Sequence, residues 1–404
     1  MDDTHDTRPI DGPIDGPIDA DNHYYEPLDA FTRYLDKNFR ERGVQAVQNG
    51  KRVEMVIGGK VNHFIPNPTF DPIIVPGCIE AMFRGQIPEG VDPRTLMQVE
   101  PLRPEYQDRE ARVTAMDEQG VGAAIFFPTF GCGVEEALRE DVEATMASLS
   151  AFNRWLEEDW GFDYRGRVLA APMLSLADPE AAAAEVDALL GRGARVVHVR
   201  PAPVPGPHGT GRSLGDKAHD PIWARLAEAS VPVAFHLGDS GYERTVGAAW
   251  GGLDHFEGYG KTDVLNRILV SDRAIHDTIA SLVVHKVFQR HPALRVASVE
   301  NGSEWMRTLV KRLRKQANQT PWIFAEDPLE TVRRHVWVTP YLEEDLEALA
   351  DLIGVERILF GSDWPHGEGC AQPLDFVKEL GPFDEQAQRR ILRDNARELL
   401  GAAR

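Results

Sequence analysis

The chain has 404 residues, of which 42% are hydrophobic and 27% charged, an ordinary globular composition that excludes a wholly disordered protein. With 44 Lys+Arg against 64 Asp+Glu its formal charge is −20, which repels phosphate backbones and anionic bilayers and excludes nucleic acid and membrane as natural partners. No apolar run approaches the ~18 residues of a membrane span, and three widely spaced cysteines (Cys78, Cys132, Cys370) form neither a CxxC pair nor a disulfide framework, as expected for a protein of the reducing cytoplasm.

In chain order, the opening MDDTHDTRPI is polar and acidic and reads as neither a secretory signal nor a transit peptide. The repeated unit in IDGPIDGPID (Ile10–Asp19) is rich in Gly, Pro and Asp, so residues 1–17 are expected to be a flexible acidic tail leading into the first strand. Short runs rich in β-branched residues then follow at Ile18–His23, Ala123–Pro128, Arg167–Met173, Ala194–Arg200, Val231–His236, Arg295–Glu300, His335–Thr339 and Arg357–Asp363. Amphipathic stretches lie between them: Asp108–Gln119, Pro179–Leu190, Asp220–Ala229, Asp272–Arg290, Glu304–Lys315, Glu343–Leu352 and Asp384–Leu400. Several begin at Asp or Ser and end near Gly, as capped helices do. Eight strands alternating with helices imply parallel pairing and closure into a (β/α)8 TIM barrel. No GxGxxG follows the first strand to support a doubly wound open sheet instead. Residues 18–404 therefore read as a single barrel. Two connections are long. Residues 24–122 form a Pro-rich insertion expected over one barrel end, and Gly238–Val270, containing GAAWGGLDHFEGYG, is expected to be a lid after the fifth strand.

In such a barrel the chemistry sits at the C-terminal strand ends. Here those ends carry Asp21 and His23 (first strand), His236 (fifth), Glu300 (sixth) and Asp363 (eighth). Asp21 and His23 are two apart and share a face; His236 and Asp363 can converge on the same point from other strands. Two imidazoles and two carboxylates suit zinc first, and manganese or iron, better than calcium or a thiolate-binding ion. Taken singly, His236 reads equally as a hydrogen-bonded core histidine and Asp363 as a helix N-cap. Glu300, closing an apolar strand, is costly to bury unless paired or metal-bound.

The segments IDADNHYYEP, GARVVHVRP, PVAFHLGDSG, LRVASVENGSEWM, RILFGSDWPHGEG and ILRDNARELLG together resemble the metal-dependent amidohydrolase superfamily. Within it, they resemble the amidohydrolase-related group that contains aminocarboxymuconate semialdehyde decarboxylase and γ-resorcylate decarboxylase. The resemblance runs from about Ile18 to Ala402, and FGSDWPHGEG is its most specific segment. It implies that Asp21, His23, His236 and Asp363 are the metal ligands, with Asp363 also moving protons. Where the decarboxylases of the group place a catalytic histidine, this chain has Glu300-Asn301-Gly302, so hydrolysis and decarboxylation both stay open, with Glu300 and His236 beside Asp363 in the catalytic set. The fourth strand reads Val196-Val197-His198-Val199-Arg200 and lacks the lysine that bridges two metals in other members, which implies a mononuclear site. Arg200 is a candidate anchor for a substrate carboxylate or, equally, a member of an ion pair. His366, three residues after Asp363, is a candidate for orienting a ligand or contacting substrate. Tyr25, Trp250 and His255 are candidates for an aromatic substrate pocket, although simple packing explains each one.

The expected function is that of a mononuclear, divalent-metal-dependent enzyme without organic cofactor. It would act on a small aromatic or cyclic carboxylate-bearing molecule, by hydrolysis or non-oxidative decarboxylation, as a cytoplasmic homo-oligomer. The competing reading is a barrel that has lost catalysis and only binds a small ligand.

Overall fold

The computed structural model describes residues 15–206, 211–256 and 263–401. Most of the expected tail, residues 1–14, lies outside these, as do residues 257–262 of the long loop after the fifth strand.

Seven regular strands and one irregular one form the ring. Ile18–Tyr24 pairs in parallel with Ala123–Pro128, which pairs with Val168–Ala170. Val197–Val199, Val233–His236, Val296–Val299 and Val336–Val338 form a second parallel sheet in that order. Backbone hydrogen bonds join the two sheets at both seams. Between the third and fourth strands, Met173 bridges His198, whose N–H donates to Pro172 O at 2.8 Å. The eighth run donates from Leu359 N to Val338 O (2.8 Å) on one side and accepts at Phe360 O from Ala20 N (2.8 Å) on the other. The (β/α)8 expectation holds, but the eighth run makes isolated bridges instead of a full ladder.

The alternation of side chains along the ring is regular. Ile18, Ala20, Ala123, Ile125, Phe127, Leu169, Ala234, Ala297, Val299, Trp337 and Leu359 fill the barrel interior. Their neighbours Ala124, Phe126, Val168, Val197, Val233, Phe235, Val296, Val338 and Phe360 pack outward under the helices. This is the two-layer burial of a parallel barrel.

Helices follow where aspartate caps and apolar spacing place them. Asp108 caps Arg109–Gln119, which ends at Gly120 (φ 74). Asp178 and a first-turn Pro start Pro179–Gly191. Asp220–Glu228, Glu304–Gln319 and Leu346–Ile353 also occupy expected stretches. Asp272–Arg290 is not one helix: it breaks at Lys286 (φ 62) into Arg273–Val284 and Val287–Arg290. Asp384–Leu400 is likewise interrupted by a π-type turn at Arg390–Asp394. An 18-residue helix, Val142–Asp159, escapes the sequence pattern altogether. Its buried side includes Thr145, Ser148 and Asn153, which dilute the apolar period on which helix recognition depends. Asn153 faces inward to exchange two hydrogen bonds with the backbone of Met173, at 2.8 and 2.9 Å.

The insertion carries its own antiparallel sheet, Val44–Asn49, Arg52–Ile57 and Lys60–Asn62. It reaches the loop after the eighth strand through Gly77 N to His366 O (3.0 Å) and Ile79 N to Gly367 O (2.9 Å). It thus covers the C-terminal end of the barrel. Phe64 of the insertion meets Phe256 of the loop after the fifth strand at 4.8 Å.

The C-terminal helix Asn395–Leu399 holds the eighth run in place: Asn395 donates from Nδ2 to Val355 O (2.8 Å) and Ile358 O (2.7 Å). Asn395→Ala leaves both carbonyls without this partner and should lower the unfolding free energy by about 2–4 kcal/mol, measured by urea denaturation.

Candidate metal centre

At the C-terminal mouth the strands deliver polar side chains in place of apolar ones. A register irregularity between Asp19 and Asn22 breaks the alternation of the first strand. Ile18 and Ala20 face the interior below it; above it Asp21 and His23 do so, while Asn22 turns outward. A bulge re-aims side chains in this way. His236 continues the inward parity of Ala234. Glu300 would point away from the interior if strand alternation continued from Ala297 and Val299, but its backbone is left-handed (φ 55). That turn is held by Thr339 Oγ1, which accepts from Glu300 N at 3.0 Å, and by Tyr341, whose hydroxyl donates to Glu300 O at 2.8 Å. Asp363 is left-handed too (φ 54). Non-glycine residues with positive φ are uncommon and cluster at functional sites. Gly361 of the GSD segment lets the eighth run approach: a Cβ there would lie 2.7 Å from Asp21 Cβ.

Four donor atoms meet in the mouth. His23 Nε2 lies 3.5 Å from Asp21 Oδ1, 3.5 Å from Glu300 Oε2 and 3.2 Å from His236 Nε2. His236 Nε2 lies 3.4 Å from Asp21 Oδ1 and 3.1 Å from Glu300 Oε2. A second grouping shares His23 and Glu300 and adds Asp363 and His366, with Asp363 Oδ1 3.4 Å from His23 Nε2. Such separations suit ligands arranged around one ion about 2.0–2.2 Å from each. The chemistry of the donors fits as well. Asp21 Oδ1 is buried without a hydrogen-bond partner, a costly state that a cation relieves. His236 Nδ1 lies 2.8 Å from Leu237 O, which can only accept, so Nδ1 carries a proton and Nε2 is the nitrogen that would ligate an ion.

Electrostatics reinforce this fit. Burial pushes the Asp21 and Glu300 carboxyls up, but the imidazoles of His23 and His236 facing them outweigh it and hold both below the ordinary range. Burial disfavours the His236 cation, yet the Cys132 sulfur and the carboxylates of Asp21 and Glu300 raise its pKa well above the usual value. Burial, with the nearby charges of Glu300 and Glu368, drives Asp363 well above the usual carboxylate range. The cluster as a whole thus favours positive charge beside its carboxylates.

Asp21, His23 and His236 are almost fully buried, whereas the side chains of Glu300, Asp363 and His366 keep 16%, 14% and 15% of their surface, so the open side of the cluster is theirs. His366 Nδ1 lies 2.6 Å from Asp363 Oδ1, and its Nε2 lies 3.1 Å from Thr129 Oγ1. That hydroxyl donates to Tyr24 O at 2.9 Å, so it accepts from His366 Nε2–H. The His366 ring also lies over His23, centroids 4.1 Å apart.

The remaining candidates are placed differently. Arg200 is buried in an ion pair, with Nη1 2.7 Å from Glu136 Oε2 and Nε 3.5 Å from Glu135 Oε2. Glu136 is also held by Arg244, 2.9 Å away. Tyr25 is buried, stacks on Phe70 at 4.6 Å and donates to Pro365 O at 3.3 Å, which is a packing role beside His366. Trp250 is 69% exposed, and His255 pairs with Asp254 at 2.7 Å.

The sequence reading missed several neighbours of the cluster. His198 is buried with its ring 5.8 Å from His236, and burial keeps it neutral by lowering its pKa well below the usual value. Its parity with Val196 on the fourth strand was a usable signal. Cys132 Sγ lies 3.6 Å from His236 Nδ1, and nothing in its local sequence announces that.

Comparison with known proteins gives the family and the fold. The family described as Amidohydrolase (Amidohydro_2) matches residues 18–402. A crystal structure of an amidohydrolase from Mycobacterium avium subsp. paratuberculosis K-10 is 60% identical, covering 96% of this chain and 98% of that one with a TM-score of 0.92. The 2-amino-3-carboxymuconate-6-semialdehyde decarboxylase of Dictyostelium discoideum is 30% identical over 129 residues, which are 30% of this chain and 35% of that protein. The match thus spans about a third of that curated relative. A dihydroxybenzoic acid decarboxylase from Polaromonas sp. JS666, with bound manganese, shares the fold: TM-score 0.56 at 19% identity, over 81% of this chain and 94% of that one.

A group whose folded pKa lies above its unfolded one stabilises the fold only while protonated, and that stability is lost as pH rises through the folded value. Asp363→Asn imitates the neutral acid. In chelator-treated protein at pH 8 it should therefore raise Tm by a few degrees, and the difference should shrink as pH falls toward 5, read by calorimetry.

Proposed function

The chain belongs to the amidohydrolase family, and from that premise we propose that it is a mononuclear, metal-dependent hydrolase or carboxy-lyase acting on a small cyclic or aromatic carboxylate. The observation that carries this reading is the convergence of Asp21, His23, His236 and Glu300 on one point, with an unpartnered Asp21 oxygen among them. These four residues would hold the ion, with Asp363 at the edge of the same seat. Once bound, a divalent ion supplies Lewis acidity, polarising an oxygen of substrate or water. Two imidazoles with oxygen donors accept zinc, which the donor types favour, and manganese, which the Polaromonas relative holds.

The chain's own groups have definite tasks. Asp363, on the open side and with its pKa raised, holds a proton at Oδ and delivers it, to a leaving group in hydrolysis or to a ring carbon in carbon dioxide release. His366, hydrogen-bonded on both nitrogens, keeps that carboxyl aimed. Glu300, ionised between two imidazoles, balances the charge of the ion. The Arg200 guanidinium is engaged by Glu135 and Glu136, so the carboxylate of the substrate would find its counter-charge at the ion. The carboxylated substrates named for the Dictyostelium and Polaromonas relatives support a carboxylate here.

Elemental analysis of protein purified without chelator tests the reading. About one zinc or manganese per chain is expected, lost in His236→Ala and Asp21→Ala. Asp363→Asn should keep most of the metal while activity drops about 10²–10⁴-fold, in a screen of aromatic carboxylates for carbon dioxide release and of amides and lactones for hydrolysis. A chain that neither carries nor takes up metal would instead be a ligand-binding barrel.

A further inference from the structure

Beneath the donor cluster lies a carboxylate that takes no part in it. Asp19 is fully buried on the first strand, two residues before Asp21. Its Oδ1 accepts from the backbone N–H of Asp21 (3.1 Å) and of Ser362 (2.9 Å). Its Oδ2 accepts from the Asn22 amide (2.9 Å) and the Ser362 hydroxyl (2.5 Å). Ser362 immediately precedes Asp363, and its Oγ in turn accepts from Trp364 N at 3.1 Å. One carboxylate thereby ties the backbone that bears Asp21 to both flanks of Asp363. It does so at the seam between the first and eighth strands, beside the backbone bonds Ala20 N to Phe360 O (2.8 Å), Asp363 N to Asp21 O (2.9 Å) and His23 N to Trp364 O (2.8 Å).

Its charge is balanced at one remove. Arg112, fully buried among Phe126, Trp160 and Trp364, donates from Nη1 to Asn22 Oδ1 at 2.6 Å. The Asn22 amide thus accepts from the guanidinium and donates to Asp19. Apolar packing would close a barrel seam without the desolvation cost of two buried charges. What a carboxylate with four donors adds is direction: together with the Asp363 N to Asp21 O bond it holds the backbones of Asp21 and Asp363 in one relative orientation.

We propose that Asp19, acting through Ser362 and Asn22, is a positioning residue for the metal seat, one that sets the separation of Asp21 and Asp363 and with it the affinity of the seat for a divalent ion. The proposal rests on the metal-dependent reading above. Loss of an outer partner of metal ligands typically lowers affinity 10–100-fold.

The test is zinc affinity of the full chain, by competition with a chromogenic chelator, beside Tm and circular dichroism of the metal-free protein. Asp19→Asn is expected to bind zinc about 10–100-fold more weakly while still reaching one ion per chain at saturation. Ser362→Ala should weaken binding in the same direction and Ser362→Thr, which keeps the hydroxyl, should restore it; this pair carries the test if Asp19→Asn does not fold. Asn395→Ala, a purely structural lesion, should lower Tm and leave affinity unchanged. Wild-type affinity in both Asp19→Asn and Ser362→Ala, whatever their Tm, would overturn the positioning role alone. A wild-type chain that binds no zinc or manganese would overturn the metal reading and this inference together.

Discussion

The constraint on which the rest of the structure depends is a concentration of like charge in a buried place. Asp21, Glu300 and Asp363 face one another and two imidazoles at the mouth of the barrel, and the groups that shift their protonation are other carboxylates and histidines. Carboxylates this close cannot all stay ionised in a low dielectric unless positive charge joins them. The raised pKa values of His236 and Asp363 express that need. A divalent ion would take the place of the proton on His236 Nε2, so metal uptake and proton release are two sides of one balance.

The scaffold is arranged to tolerate this cluster. Asp21 and His23 share the first strand, and the other donors come from different parts of the ring, each held by its own support: Glu300 by Thr339 and Tyr341, His236 by the Leu237 carbonyl, Asp363 by His366 and the Asp19–Ser362 contact. The insertion closes over the same end of the barrel and brings in Arg112, whose guanidinium donates to Asn22 of the first strand. Arg200, at the end of the fourth strand, is kept occupied by Glu135 and Glu136. The site is therefore polarised, with its buried side at Asp21, His23 and His236 and its accessible side at Glu300, Asp363 and His366. Chemistry that needs both a fixed ion and a mobile proton calls for this division.

Much of this was legible in the sequence. Alternating apolar runs and capped amphipathic stretches specified the barrel, because the period of 2 and the period of 3.6 are imposed by backbone geometry on each segment separately. The positions of Asp21, His23, His236, Glu300 and Asp363 at the ends of those runs were readable for the same reason. Burial of a carboxylate or imidazole at the end of an apolar strand has few inexpensive explanations. The helix Val142–Asp159 was not legible, since its buried side uses Asn153 to bond the third strand and Thr145 and Ser148 in place of larger apolar residues.

What the sequence by itself determined was the ring and which strand ends carry donors. Only the tertiary structure decided where those donors point. Strand parity would send Glu300 outward; a left-handed residue, held by Thr339 and Tyr341 from the next strand, turns it in. A register break pointed Asp21 and His23 inward. Arg200, equally an anchor or an ion-pair partner on sequence grounds, became the latter because the short helix Val134–Ala137 brings Glu135 and Glu136 to it. Each of these outcomes depends on contacts between residues far apart in the chain, and local propensity and periodicity carry no information about such contacts.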